Sequence, residues 1–219
     1  HLPLYNEKRV VNRLLEAVTS MDYPQIDKDT GNPIPNTSCY EVVIADDSTD
    51  ETKDIVNEWR NHPLIKISHR DNRQGYKGGA LRLALRAMAP QTEFVLVFDS
   101  DFLPYPDTIT SFLKYFQTVS HLGDLSNLGN IAAVQGYQWH VLNKSENWIT
   151  RGVRTEYAGS YVIERSGSEI YQGLKQIAGS VFMVRADILR DPRYQWGTSI
   201  TEDFELTLKL YRDGYKVVY

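Results

Sequence analysis

The chain of 219 residues suits one large α/β domain or two small ones, and its 42% hydrophobic content argues against disorder. With 24 Lys and Arg against 28 Asp and Glu, the net charge of −4 gives no basic surface for nucleic acid. No apolar run approaches the ~20 residues that cross a bilayer, and the lone Cys39 excludes an intrachain disulfide and favours a reducing compartment. We expect one domain over residues 1–219, excised from a longer protein because it lacks an initiator Met and stops on a strand-like run.

The first elements along the chain are a helix, a strand and a second helix. Apolar residues repeat at helical spacing over residues 10–18, after Asn6 as the candidate N-cap. Residues 40–45 predict a short buried strand that leads directly into the acidic run DDSTD. Ser48 and Glu51, three residues apart, form a capping box that predicts the start of the next helix.

The middle of the chain repeats this order. Residues 64–68 predict a strand, and residues 69–79 predict a polar loop that leads to a helix over residues 80–88. Residues 94–98 are apolar throughout, which is typical of a central strand with both faces buried, and Asp99-Ser100-Asp101 follows directly. Acidic residues therefore stand at the C-terminal ends of two predicted strands.

The rest of the chain again alternates between helix and strand patterns, with long polar loops at residues 24–38 and 117–130. Such alternation predicts the α/β class, with a mostly parallel sheet covered by helices on both faces. Ligands of such sheets bind beyond the carboxyl ends of the strands, where both acidic runs lie. The remaining predicted elements are a helix over residues 109–116, a strand over 131–138, a helix over 148–165, a strand over 180–185 and a helix over 204–211 closed by Gly214.

Asp99 and Asp101 are two residues apart, and on an extended backbone their carboxylates point to the same side. Two carboxylates so placed can share a hard cation, Mg²⁺ or Mn²⁺, which bridges a diphosphate and stabilises it as it leaves. The alternative is structural, because an aspartate at the end of a strand often caps a helix or forms a turn.

Two other segments have side chains suited to a nucleotide. Asp46 and Asp47 precede the second helix, and their carboxylates can accept hydrogen bonds from a base or from ribose hydroxyls. Arg73 and Lys77 lie close to a helix start, where cationic side chains and backbone N–H groups form an anion site. For this second segment, a solvated basic loop is the alternative.

Thr201-Glu202-Asp203 opens the last helix, where the helix dipole favours an ionised carboxylate that can accept a proton. The alternative is a helix cap. Thr201 alone already suits that purpose, which leaves the two acids for another role.

Six segments, taken in order, resemble the family 2 glycosyltransferases, and most of all the membrane-integrated, processive branch that includes cellulose synthase and mannan synthase. The resemblance covers essentially the whole chain, and ordered agreement of six motifs is far more specific than any single one. The segments are PLYNE at residues 3–7, DDSTDET at 46–52, HRDNRQGYKGGAL at 69–81, DSD at 99–101, AGS at 178–180 and TEDFELTLKLYRDGY at 201–215.

The resemblance implies a GT-A fold and a metal-dependent, inverting transfer of a hexose from UDP-glucose or GDP-mannose to a growing β-glycan. It implies that Asp203 is the general base, and that Asp99 and Asp101 bind Mg²⁺ or Mn²⁺. It also implies a location at the cytosolic face of a membrane, attached through segments outside this chain. The residues implied for the nucleotide sugar are Tyr5, Glu7, Asp46 or Asp47, Arg73, Lys77 and Asp99.

The same resemblance places the acceptor path along QGYQWH at residues 135–140 and along residues 178–180. Trp139 offers a flat apolar face for a sugar ring, although it equally suits the core. The residues implied for the acceptor are Gln138, Trp139, Gly179, Ser180 and Glu202.

Two other functions are compatible with these motifs. One is a non-processive family 2 enzyme that transfers a single sugar to a lipid carrier such as dolichyl phosphate. The other is a regulatory module that binds a nucleotide sugar without turnover, although such a module does not need Asp203 as a base. The Gln-x-x-Arg-Trp motif of the processive branch is absent from these residues, so processivity is implied by the resemblance only.

Overall fold

The computed structural model describes residues 1–121, 130–138, 147–171 and 173–219. A parallel three-stranded sheet is formed by β1 (Leu2–Leu4), β2 (Val42–Asp46) and β3 (Ile65–His69). β2 lies between β1 and β3 and is buried at every residue. Its apolar run VVIA suits this central position, because neither face of the strand meets water.

A second sheet has the order β4-β6-β5-β7. β6 runs antiparallel to β4 and β5, whereas β5 and β7 are parallel. The two sheets meet at their edges, where the His1 amine donates to the Leu96 carbonyl (2.6 Å) and the His1 carbonyl accepts from the Phe98 N–H (3.3 Å). The predicted α/β class and parallel-rich sheet are confirmed, with β6 as the antiparallel exception. The strands are β4 (Phe94–Val97), β5 (Ile131–Gln135), β6 (Phe182–Arg185) and β7 (Lys216–Val218).

Helices cover both faces of the joined sheets. One apolar core includes residues of α3, α7 and α8, and the other includes residues of α1, α2 and α4. Along β2, Val43 and Ala45 belong to the first core and Val42 and Ile44 to the second, as the alternation of side chains along a strand requires. The helices are α1 (Val11–Thr19), α2 (Thr52–Glu58), α3 (Tyr76–Ala87), α4 (Thr108–His121), α5 (Trp148–Ala158), α6 (Arg165–Ile170), α7 (Ala186–Arg190) and α8 (Glu202–Arg212).

Two predicted helix caps are wrong. α1 begins at Val11 without a side-chain cap, and Asn6 instead has a left-handed backbone (φ 58°) from which its Oδ1 accepts the Thr49 N–H (2.8 Å). The capping box is absent, because α2 begins at Thr52 without a side-chain cap and the Ser48 hydroxyl accepts the Asn6 N–H (2.9 Å). These bonds join the turn after β1 to the turn after β2.

The helix predicted over residues 148–165 is present but interrupted. A π-helical segment, Gly159–Glu164, connects α5 to α6. Within the described ranges, no helix has both the length and the apolar character needed to span a membrane.

Candidate active site

Four segments of the chain meet beside the carboxyl end of β4. Lys77 lies in the first turn of α3, Asp99 follows β4, Gly179 precedes β6, and Glu202 and Asp203 open α8. The loop predicted over residues 69–79 is therefore shorter, because α3 already begins at Tyr76. Asp99, Glu202 and Asp203 gather around Lys77, and together they are referred to below as the carboxylate cluster.

The ammonium group of Lys77 connects the parts of this cluster. Its Nζ donates to the Asp99 carboxylate and to the Gly179 carbonyl (2.6 Å), and it lies 4.0 Å from the Glu202 carboxylate. A β-carbon placed on Gly179 would lie 3.1 Å from Asp203 Oδ2 and 3.7 Å from Lys77 Nζ, so Asp203 faces the same space. One ammonium thus stands among three carboxylates.

The excess of negative charge affects the acids themselves. Burial raises the pKa of Asp99; Lys77 partly offsets this effect, and the nearby Asp101 and Asp203 add to it. Burial also raises the pKa of Glu202, with Lys77 opposing the shift and Asp203 and Asp99 adding to it. The cluster therefore favours the arrival of further positive charge or a proton.

The two carboxylate oxygens of Asp203 have different surroundings, one in its own helix and one in the carboxylate cluster. Its Oδ1 accepts the Phe204 N–H (2.8 Å), whereas its Oδ2 is the oxygen near Gly179. Thr201 occupies the N-cap position but makes no side-chain cap bond. The helix start therefore accounts for one oxygen of Asp203 and leaves the other facing the cluster.

The backbone of Asp99-Ser100-Asp101 is not extended, contrary to the prediction. β4 ends at Val97, and the Asp99 carbonyl accepts the Phe102 N–H (3.2 Å), which closes a turn over these residues. Such a turn is the structural alternative noted for this motif. Asp101 is exposed.

The described part of the chain contains no group of three or more His, Cys, Asp or Glu side chains placed to hold a metal ion. Mg²⁺ commonly binds through one or two carboxylates, with phosphate oxygens and water as its other ligands. Asp99 and Asp101 fit that mode by their chemistry and proximity, and Lys77 already contacts one oxygen of Asp99.

A strained turn over Ala178 to Val181 forms the next wall of the site. Gly179 and Val181 both have positive φ, 76° and 56°. The Gln138 amide donates to the Ala178 carbonyl (3.0 Å), and the Ser180 hydroxyl accepts the Asp99 N–H (2.8 Å). These two predicted acceptor residues thus hold the turn in place, and Trp139 lies outside the described residues.

Gln135, at the end of β5, begins the segment predicted for the acceptor path, and it organises this turn. Its amide nitrogen donates to the Ser180 carbonyl (2.9 Å), and its oxygen accepts the Ala178 N–H (2.7 Å). The residue is buried. A lone polar side chain at the end of the apolar strand IAAVQ was the available signal, because a buried amide requires partners.

Asp46 and Asp47, at the end of β2, are both buried, with only 2% and 4% of their surface exposed. Asp46 Oδ2 lies 2.9 Å from His69 Nδ1, and its Oδ1 accepts the Ser48 N–H (3.0 Å). Arg70 binds both oxygens of Asp47 in a fork, with its Nε 2.6 Å from Oδ1. Arg70 was not singled out from the sequence, although it is the first cation of the basic segment.

Two glycines allow α3 to approach its neighbours closely. A β-carbon on Gly79 would lie 2.1 Å from the Gln74 carbonyl oxygen and 2.5 Å from Arg70 Nη1. A β-carbon on Gly78 would lie 2.4 Å from the Gly197 carbonyl oxygen. Both distances are far below a normal contact, so these glycines fix the position of the first turn of α3, and of Lys77 with it.

Tyr5 and Arg73 form a stacked pair after β1. The guanidinium carbon of Arg73 lies 3.4 Å from the centre of the Tyr5 ring, a cation–π contact, and 5.7 Å from that of Tyr76. Glu7 lies two residues further on, where its carbonyl accepts the Val10 and Val11 N–H groups (both 3.0 Å). Tyr5 and Arg73, both predicted for the nucleotide, are therefore brought together.

Comparisons with known proteins identify a family model and similar sequences. The family model described as glycosyl transferase family 2 matches residues 1–162. Probable glucomannan 4-beta-mannosyltransferase 1 and glucomannan 4-beta-mannosyltransferase 7, both from Arabidopsis thaliana, align with the whole chain at 27% and 26% identity. The chain spans only 37% and 36% of their lengths.

Solved structures of S. aureus TarS 1-349 are also similar. The complex with UDP superposes with a TM-score of 0.65 at 22% identity, and the complex with UDP-GlcNAc with a TM-score of 0.63 at 23% identity. Each match covers 99% of this chain, which spans 55% and 53% of those chains.

This chain belongs to glycosyl transferase family 2, because the family model covers most of its residues. The predicted similarity to the cellulose synthase-like branch is confirmed by the two glucomannan mannosyltransferases. The predicted GT-A fold is confirmed by the likeness to the TarS structures.

Proposed function

We propose that the chain is the catalytic part of a metal-dependent, inverting glycosyltransferase that moves a hexose from a UDP- or GDP-sugar to a growing β-glycan. The carboxylate cluster carries the proposal, because it places Asp203 Oδ2 beside the paired Lys77 and Asp99. Two glucomannan mannosyltransferases among the relatives, and TarS complexes with UDP and UDP-GlcNAc, support it. The proposal includes a location at the cytosolic face of a membrane, with the membrane segments outside this chain.

On the donor side, Tyr5 supplies an aromatic face for the base, and Arg73 moves from that face as the base stacks. Arg73 and Lys77 supply positive charge for the diphosphate. Asp46, Asp47, Asp99 and the nearby Glu7 are the acceptors proposed for the N–H and O–H groups of the nucleotide. His69 holds Asp46 and Arg70 holds Asp47, so the carboxylates of both aspartates are oriented before the donor arrives.

Asp99 and Asp101 would hold Mg²⁺ or Mn²⁺, with phosphate oxygens and water completing its coordination. The ion would neutralise the phosphate oxygens as charge develops on the departing nucleoside diphosphate. The raised pKa of Asp99 is consistent with a carboxylate that gains from a further positive charge.

Asp203 acts as the general base. It takes the proton of an acceptor hydroxyl, whose oxygen then attacks the sugar on the face opposite the diphosphate, and the configuration inverts. Asp203 lies in the first turn of α8, and its Oδ2 faces the carboxylate cluster. The residues proposed to line the acceptor side are Gln138, Trp139, Gly179, Ser180 and Glu202.

Replacing Asp203 with Asn tests this function. In its full-length context, Asp203→Asn should still bind a nucleoside diphosphate but should lose transfer from radiolabelled UDP-glucose or GDP-mannose by about 10² to 10⁴ in rate. Asp54→Asn is the control, because Asp54 also lies in the first turn of a helix but is exposed on α2. Transfer by Asp203→Asn at the rate of the unaltered chain would contradict the proposal.

The product of the same assay separates the alternatives. A β-glycan supports the proposed acceptor, whereas a single sugar on an added lipid phosphate favours the non-processive enzyme. Binding of the nucleotide sugar without any transfer by the unaltered full-length protein favours a regulatory module.

A further inference from the structure

The Lys77 ammonium contacts the same carboxylate, Asp99, that is proposed to bind the metal ion. Its other bond, to the Gly179 carbonyl (2.6 Å), holds it on the acceptor side of that carboxylate. The backbone of Lys77 is held in place, because Gly78 and Gly79 pack the first turn of α3 against its neighbours. Any displacement of the ammonium must therefore come from rotation of the lysine side chain.

We infer that Lys77 competes with the divalent cation for Asp99, and that the diphosphate relieves this competition by drawing the ammonium to itself. Metal and nucleotide then bind cooperatively, because each favours the arrangement in which Lys77 has left Asp99. This inference rests on the proposed function and adds to it a coupling role for one residue.

The charges and exposure of the groups support the exchange. A divalent cation on Asp99 would be a close neighbour of the ammonium, and like charges at such distances repel strongly. A diphosphate has the opposite effect, since its oxygens offer Lys77 a partner as favourable as a carboxylate. The Lys77 and Asp99 side chains are 27% and 39% exposed, so both can be reached by an incoming ligand.

The geometry distinguishes this role from simple structural support. A lysine that merely holds the site together would, on removal, loosen the site and weaken metal binding. A lysine that competes with the metal would, on removal, strengthen the binding of metal alone. The two roles therefore predict changes of opposite sign in one measurable affinity.

The test measures Mn²⁺ binding to this chain by electron paramagnetic resonance, with and without UDP or GDP. Lys77→Gln removes the charge but keeps an N–H donor for the Gly179 carbonyl, and it should bind Mn²⁺ alone about tenfold tighter than the unaltered chain. Arg86→Gln removes one charge from an exposed position of the same helix and should leave Mn²⁺ affinity unchanged.

The nucleotide completes the test. UDP or GDP should raise the Mn²⁺ affinity of the unaltered chain more than that of Lys77→Gln, because the variant has no competition to relieve. Circular dichroism verifies the folding of each variant, and Lys77→Met serves as a second neutral substitution if Lys77→Gln does not fold.

Two results would overturn the inference in distinguishable ways. If the unaltered chain takes up Mn²⁺ with nucleotide but the neutral variants bind Mn²⁺ alone no more tightly, the competition is wrong and the proposed metal site stands. If the unaltered chain takes up no Mn²⁺ even with saturating UDP or GDP, the proposed metal dependence fails and the inference fails with it.

Discussion

The ends of β2 and β4 both carry aspartates, but the two groups have different partners. At the end of β2, Asp46 has His69 as its partner and Asp47 has the fork of Arg70, and both carboxylates are buried. Beyond β4, Asp99 shares Lys77 with the acids at the start of α8. One group is fully paired, and the other has more negative than positive side chains.

The two groups of carboxylates are suited to two different tasks in one site. Buried and paired carboxylates keep a fixed orientation, as is needed to position a ligand without rearrangement. A carboxylate cluster with excess negative charge attracts a cation and can hold a proton, as is needed where a diphosphate leaves and a hydroxyl is deprotonated. Disturbing the paired group should therefore cost stability, whereas removing an acid from the carboxylate cluster should change how stability depends on pH.

The largest effect on stability should come from breaking the paired group. Arg70→Met leaves the buried Asp47 without its partner, so the free energy of unfolding should fall by about 3 kcal/mol or more. Chemical denaturation measures the change. Arg193→Met, which removes an exposed guanidinium from Asp191, is the matched control and should cost far less. Equal losses would show that burial of the Asp47 pair is energetically unimportant.

A smaller effect should follow from displacing Arg70 without removing it. Gly79→Ala places a methyl group against the Gln74 carbonyl and the Arg70 guanidinium, and this overpacking should cost about 1 to 3 kcal/mol. Gly152→Ala is the control, because nothing lies within 4 Å of its added carbon and α5 should gain about 0.5 to 1 kcal/mol. Thermal melts compare the two, and a neutral Gly79→Ala would contradict the close packing.

The smallest effect concerns the dependence of stability on pH. Because the pKa of Glu202 is raised on folding, the folded chain holds its proton to higher pH than the unfolded chain does. Stability from this group is therefore present below its ordinary pKa of 4.5 and is lost as the pH rises through the raised value. Glu202→Gln should reduce that loss, whereas Glu58→Gln, on the exposed face of α2, should not. If stability depended on pH identically in the two variants, the raised pKa of Glu202 would be contradicted.

The sequence predicts elements better than it predicts the partners of polar side chains. α1 was predicted because its apolar residues repeat at helical spacing, and β2 and β4 were predicted because each is a short run of apolar residues. The caps predicted at Asn6 and Ser48 were wrong because both side chains accept hydrogen bonds from residues more than 40 positions away. A local sequence pattern does not include such distant partners. The antiparallel direction of β6 likewise depends on how the chain connects the strands, which a local pattern does not show.

The same distinction holds for the candidate site. Acidic residues at strand ends predicted where the site lies, because the carboxyl ends of parallel strands meet at one edge. The side-chain hydrogen bonds between distant residues could not be predicted. Arg70 binds Asp47 across 23 residues, and Gln135 binds the turn before β6 across more than 40. The turn at Asp99 could not be predicted either, because the Asp-x-Asp pattern is compatible with the end of a strand and with a turn.

The central claim is that Asp99 of the carboxylate cluster and the neighbouring Asp101 bind a metal ion together with a nucleoside diphosphate. Calorimetric titration of UDP and GDP, with Mn²⁺ or with EDTA, tests it most directly. The unaltered chain should bind one of them with Mn²⁺ and lose most of that affinity in EDTA. Asp101→Asn should lose it even with Mn²⁺, while Asp107→Asn, an exposed acid six residues further on, should retain it. Equal affinity of the unaltered chain with Mn²⁺ and in EDTA, or an Asp101→Asn variant that gains as much affinity from Mn²⁺ as the unaltered chain does, would contradict the claim.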